Sequence, residues 1–128
     1  MPNRFVPILQ EHAPTPIFEF DRLVDEYGVL TVHLLAEDDR QVRLIFDDYL
    51  VYRKRDEGDA LSTLRDAKDA PLGRSFYRVE ESDFLAWFQV ENHDIRRDRG
   101  LIHLVIMTMN DVIDVICCSE PRVEAARA

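Results

Sequence analysis

Glycine is scarce: four occur in 128 residues, and none builds a phosphate-cradling loop or the Gly-x-Ser-x-Gly turn of a nucleophilic serine. Cysteine is scarcer still. Cys117 and Cys118 are the only two, and in an extended segment adjacent side chains point to opposite faces, so they neither join each other easily nor converge on one metal. His12, His33, His93 and His103 lack the close pairing of a zinc site. The sequence therefore predicts no catalytic motif, no metal site and no cofactor. Apolar runs are short, well under the roughly 18 to 20 residues needed to cross a bilayer, and residues 1 to 7 lack the apolar stretch of a secretory signal. A reducing cytoplasm is the expected compartment.

What is abundant is negative charge. The formal net charge is -9, from 25 acidic and 16 basic residues. Such a field repels phosphate backbones and attracts basic partners, which argues against direct nucleic-acid binding. With 46% apolar residues the chain can bury one core, and it is read as a single domain over residues 1–128.

Pro2, Pro7, Pro14 and Pro16 make residues 1–16 an extended arm. Residues 17–24 fit either a short strand or a helical turn, ended by Tyr27-Gly28. Residues 29–36 and 42–46 are rich in β-formers and flank a polar turn, Glu37-Asp38-Asp39-Arg40-Gln41, so they predict a hairpin. Asp47-Asp48 turns the chain again into residues 49–53, completing a meander. From 56 to 68 the spacing of Ala60, Leu61, Leu64 and Ala67 is helical. A short extended piece, residues 75–79, leads to Ser82, an N-cap for a second helix that carries Phe84, Leu85, Trp87 and Phe88. Residues 91–100 read as a loop. The last hairpin, 101–109 and 112–118 about an Asn110-Asp111 turn, is apolar on both faces and must be covered twice, by this chain or by a second subunit. A homodimer is expected on that ground, and residues 122–128 are expected to fray.

The fold class predicted is α+β: an antiparallel sheet of about five strands, from the meander and the C-terminal hairpin, packed by two helices. Its acidic turns, Glu37, Asp38, Asp39, Asp47, Asp48, Asp56, Glu57 and Asp59, supply a candidate surface for a basic protein partner, since some of them must share one end of a sheet. Tyr77, Arg78, Trp87 and His103 are the candidate lining of a pocket between sheet and helices. His33 and His103 would approach only if their strands were neighbours.

Three stretches carry a resemblance. They are Tyr52-Arg53-Lys54-Arg55-Asp56-Glu57-Gly58-Asp59, the Ser82-Asp83-Phe84-Leu85-Ala86-Trp87-Phe88 helix start, and the hairpin from His103 to Ile116 followed by Glu120-Pro121. Over residues 49–121 the chain resembles small bacterial immunity proteins of polymorphic or contact-dependent toxin systems. The resemblance implies a non-catalytic protein that occludes the active site of a basic toxin or nuclease, and it carries over no catalytic residue. Two other readings stand beside it: a small-ligand binder or enzyme using the sheet–helix pocket, and an oligomeric scaffold or anti-defence protein.

Overall fold

Runs rich in β-formers supply the strands, and a computed structural model describes nine of them over residues 3–9, 18–37, 39–68, 75–96 and 99–127. In order they are β1 (Arg4–Pro7), β2 (Glu19–Glu26), β3 (Val29–Leu35), β4 (Arg40–Phe46) and β5 (Tyr49–Asp56), then β6 (Phe76–Glu80), β7 (Ile102–Met107), β8 (Asp111–Cys117) and β9 (Arg122–Arg127). A turn of 3-10 helix, Glu57–Asp59, and helix α1 (Leu61–Asp66) follow β5, and helix α2 (Asp83–Glu91) follows β6.

The strands form two antiparallel sheets, one of five in the order β1-β6-β7-β8-β5 and one of four in the order β2-β3-β4-β9. The expected α+β class, with a five-stranded antiparallel sheet and two helices, is what forms. Its membership is wider than the meander and hairpin. Only the meander's third strand, β5, joins the hairpin strands, while β3 and β4 build the second sheet. Cross-strand ion pairs accompany the division. Beside β8, Arg53 falls opposite Asp114 and Lys54 reaches Asp111 at 3.0 Å, whereas β4 gains β9, with Arg43 paired to Glu124. Opposite charges on facing strands favour those registers.

The sheets face each other across one core. Leu30, Val32 and Leu34 of β3 and Val42, Leu44 and Phe46 of β4 meet Phe76, Leu104, Ile106, Ile113, Val115 and Cys117 of the larger sheet. The larger sheet's other face holds a second cluster, Phe5, Ala60, Tyr77, Val79, Val105 and Val112, against which Leu64 and Ala67 pack from the α1 segment. The C-terminal hairpin is thus central and covered on both faces by its own chain. Its two-faced apolarity supplies no argument for a homodimer.

Several local expectations resolve. Residues 19–26 are strand, and the β2–β3 connection is the two-residue loop Tyr27-Gly28 with both residues at positive φ, 54° and 78°. That geometry matches strand twist and explains the glycine. The final turn centres on Met109-Asn110, one residue earlier than expected, because the Asp111 amide donates to Thr108 Oγ1 at 3.1 Å and Thr108 closes the turn with its own amide to the Asp111 carbonyl. Residues expected to fray instead form β9 from Arg122 to Arg127, since the β4 edge offers an unpaired ladder. Part of the expected arm is β1, whose Phe5 meets Tyr77 edge to face; residues 10–17 lie outside the described residues. No helix among the described residues is long and apolar enough to cross a membrane.

Candidate functional site

α2 is pinned at its start by Ser82 and by Asn3, each tied onward to another element. Ser82 accepts the Leu85 amide at 2.9 Å as its N-cap, and Asn3 Oδ1 accepts the Asp83 amide at 2.7 Å while Asn3 Nδ2 reaches Asp66 of α1 at 2.9 Å. Ser82 Oγ also lies 2.6 Å from His103 Nδ1, and His103 Nε2 lies 2.7 Å from Asp114 Oδ1. Asp114, only 1% exposed, receives Arg53 Nε at 2.9 Å and Arg55 Nη2 at 2.7 Å, both on Oδ2. Burial alone would raise the Asp114 pKa; the hydrogen bond and charge of His103, with Arg53, outweigh it and hold the carboxyl below its usual range. With Asp114 ionised and able only to accept, His103 Nε2 donates to it, and Nδ1 faces the Ser82 hydroxyl.

Serine, histidine and carboxylate in hydrogen-bonded series is the order of a nucleophilic triad. Here Phe84 lies edge to face over His103, with ring centroids 5.3 Å apart, and Ser82 and His103 are both buried. The chain of hydrogen bonds binds α2 to the sheet. Asp114 was not among the expected functional residues. Its signal was present, as a lone carboxylate inside an apolar strand with two arginines at alternate positions of a neighbouring one.

Above this brace is a cleft between β5 and α2, about 440 Å³, lined by Val51, Tyr52, Arg53, Asp83, Phe84 and Trp87. Trp87, half exposed, stacks on Phe84 at 5.6 Å and 5° between planes, and the Arg53 guanidinium lies 4.0 Å from the Phe84 centroid. Of the four expected lining residues, Trp87 lines this cleft. His103 lies beneath Phe84, Tyr77 is buried in the second cluster beside Phe5, and Arg78 is exposed on β6. Those last two miss because β6 is separated from β5 by β7 and β8. His33 and His103 do not meet, for His33 lies on β3 of the other sheet, opposite Arg43, and its pKa is lowered by burial and by the charges of Arg22 and Arg43.

The acidic turns divide between the two ends of the molecule. Glu37 and Asp39, at the start of β4, line a shallow pocket with Glu19 and Met109. The neighbouring Asn110 carbonyl accepts the Glu57 amide at 2.9 Å, and Asp56 stands opposite Asp111 in the β5–β8 ladder. The β7–β8 turn therefore gathers Glu37, Asp39, Asp56 and Glu57, with Asp59 ending the 3-10 turn that follows, and adds Glu19 and Asp111. Asp47 and Asp48 lie at the far end of β4, where Arg122 holds Asp47 at 2.8 Å and Ser119 donates to Asp48 at 2.6 Å. The Arg122 hydrogen bond lowers the Asp47 pKa. Asp38 lies outside the described residues. At the gathered end Lys54 pairs with Asp111, whereas Glu19, Glu37, Asp39, Glu57 and Asp59 enter no ion pair with a described residue.

No protein-family model, no curated protein and no solved structure matches this chain.

Proposed function

We propose that this chain is a non-catalytic binding protein of the immunity type, which neutralises a basic toxin or nuclease by covering its cationic active site with the acidic end around the β7–β8 turn. The observation that carries the reading is the convergence there of carboxylates from four separate stretches, the start of β2, the β3–β4 turn, the end of β5 with the following 3-10 turn, and the start of β8. Apart from Asp111, which Lys54 holds, those carboxylates enter no ion pair with a described residue and project a negative field toward solvent, which speeds encounter with a cationic surface. Met109, 48% exposed amid them, offers an apolar anchor of the adaptable kind that binding surfaces use.

The test is capture from the native cytosol at low salt with the tagged wild-type chain, beside a triple variant Glu37→Lys, Asp39→Lys, Glu57→Lys and a control Glu120→Lys. The expected result is one basic protein held by wild type and control, lost from the triple variant, and stoichiometrically inhibited in its own activity by the wild-type chain. Equal capture by the triple variant, or a captured protein whose activity is untouched, would overturn the reading.

A further inference from the structure

The cleft between β5 and α2 lies apart from the acidic end, and its lining holds one cation, Arg53, beside one carboxylate, Asp83. Arg53 and Arg55 share a single carboxylate, and indeed a single oxygen, Asp114 Oδ2. Two guanidinium charges thus face one buried negative charge. Arg55 is absorbed by the fold, since its Nη1 donates to Thr63 at 3.1 Å and its Nη2 to Asp114. Arg53 is not. Its Nε is held by Asp114, its guanidinium carbon lies over the Phe84 ring 4.0 Å from the centroid, and its side chain remains 41% exposed in the cleft lining, with no described partner for either terminal nitrogen.

A guanidinium fixed at one nitrogen and stacked on a ring has already lost most of its rotamer freedom, so the two outward N–H groups are preorganised for a planar anion. Around them the cleft is apolar and aromatic, with Trp87, Phe84, Tyr52 and Val51. Its size, about 440 Å³, falls within the range of small-molecule sites. Asp83 stands on the rim and opposes an anion, which weakens the site and gives the test its sign.

We infer that this cleft binds a small amphipathic acid, with its carboxylate on the terminal nitrogens of Arg53 and its apolar body against Trp87 and Tyr52. The terminal nitrogens of Arg53, which have no described partner, select the carboxylate over an amine, and the aromatic lining selects an acyl or aryl body over a polar one. This site is independent of the proposed neutralising surface, and either can fail without the other.

Trp87 is the one tryptophan of the chain, so its emission reports the cleft directly. The experiment titrates the folded protein with octanoate, octanol and octylammonium, which share a tail and differ in head group, and with a short peptide ending in an apolar residue and a free carboxylate. Octanoate should produce a saturable change, with octanol and octylammonium at least about tenfold weaker, as expected for a charge-assisted bidentate contact. Arg53→Gln should abolish the preference for octanoate over octanol. Arg53→Lys, which keeps the charge and loses the fork, should retain part of it. Asp83→Asn, at the exposed start of α2, should tighten octanoate several-fold, and this variant keeps the proposal testable should changes at Arg53 disturb the fold. Tighter binding of octylammonium, weaker octanoate binding by Asp83→Asn, or no saturable change with any probe would overturn the proposal. Peptide binding tighter than octanoate would overturn it in favour of a protein C-terminus.

Discussion

Asp114 carries the strongest obligations of any side chain in the molecule. It is almost wholly buried, and it answers His103, Arg53 and Arg55 together. Asp114→Asn keeps the shape and removes the charge, leaving two guanidinium groups without their counter-ion. Removal of one partner from a buried charged pair costs about 3 to 5 kcal/mol, and the partial exposure of Arg53 places this case near the lower figure. Urea unfolding at neutral pH should read that loss. The pH dependence follows from the depressed pKa. Because the folded carboxyl holds its charge to lower pH than the unfolded one, its stabilisation is complete above the ordinary carboxylate value of about 3.9 and disappears as pH falls below that, through the folded value. Wild type should therefore lose stability between neutral pH and acid more steeply than Asp114→Asn. Parallel curves for the two proteins would contradict the assignment. Cys117 behaves as a buried apolar residue, its thiol pushed up to about 12 by burial. It stays protonated at neutral pH and packs in the core, opposite in direction to Cys118, as adjacent strand residues must.

At the scale of elements, β9 is the strand least visible beforehand. Its sequence alternates weakly and it stands at the chain's end, yet β4 pairs with it over six residues, from Arg40 opposite Arg127 to Ile45 opposite Arg122. Val123, half buried, packs on the core from this strand. Val123→Ala should lower stability by about 1 kcal/mol in denaturant unfolding, the usual consequence of removing two buried methyl groups at a partly covered site. A frayed tail would leave the midpoint unchanged. α2 shows the reverse case. Ser82 and the aromatic run identified its start in advance, and the serine caps it as expected. What those residues did not disclose is that Phe84 is the inward anchor while Trp87 and Val90 stay largely exposed, because the direction of each depends on where β7 and β5 lie beneath.

For the whole molecule, the informative quantity is where the net charge of -9 is left uncompensated. At the far end Asp47 and Asp48 are tied to Arg122 and Ser119, whereas most carboxylates around the β7–β8 turn enter no ion pair with a described residue. The proposed function requires the association rate with a basic partner to respond to that end alone. Stopped-flow association should slow by about tenfold or more as salt is raised well above physiological strength, in line with screening of steered encounter. Glu37→Lys should lower the rate at low salt, and Glu120→Lys should have much less effect. A rate insensitive to salt would remove the electrostatic part of the proposal.

The residue pattern by itself determined the α+β class, the cap at Ser82 and the twice-covered character of the last hairpin, whereas the polar turn expected at 37–41 is shorter, since Arg40 and Gln41 already belong to β4. These rest on short-range rules: alternation along a strand, helical spacing, and the hydrogen-bonding habits of a few side chains. Tertiary structure alone decided that β5 leaves β4 for β8, that β9 closes the second sheet, and that Asp114 gathers two arginines and a histidine. It also divided the acidic turns between two ends. The physical reason is common to all of these. They depend on which strand edges meet, and edge pairing joins residues about 60 to 80 apart, such as Arg53 with Asp114 and Arg43 with Glu124, through charge and ladder complementarity that no local window contains.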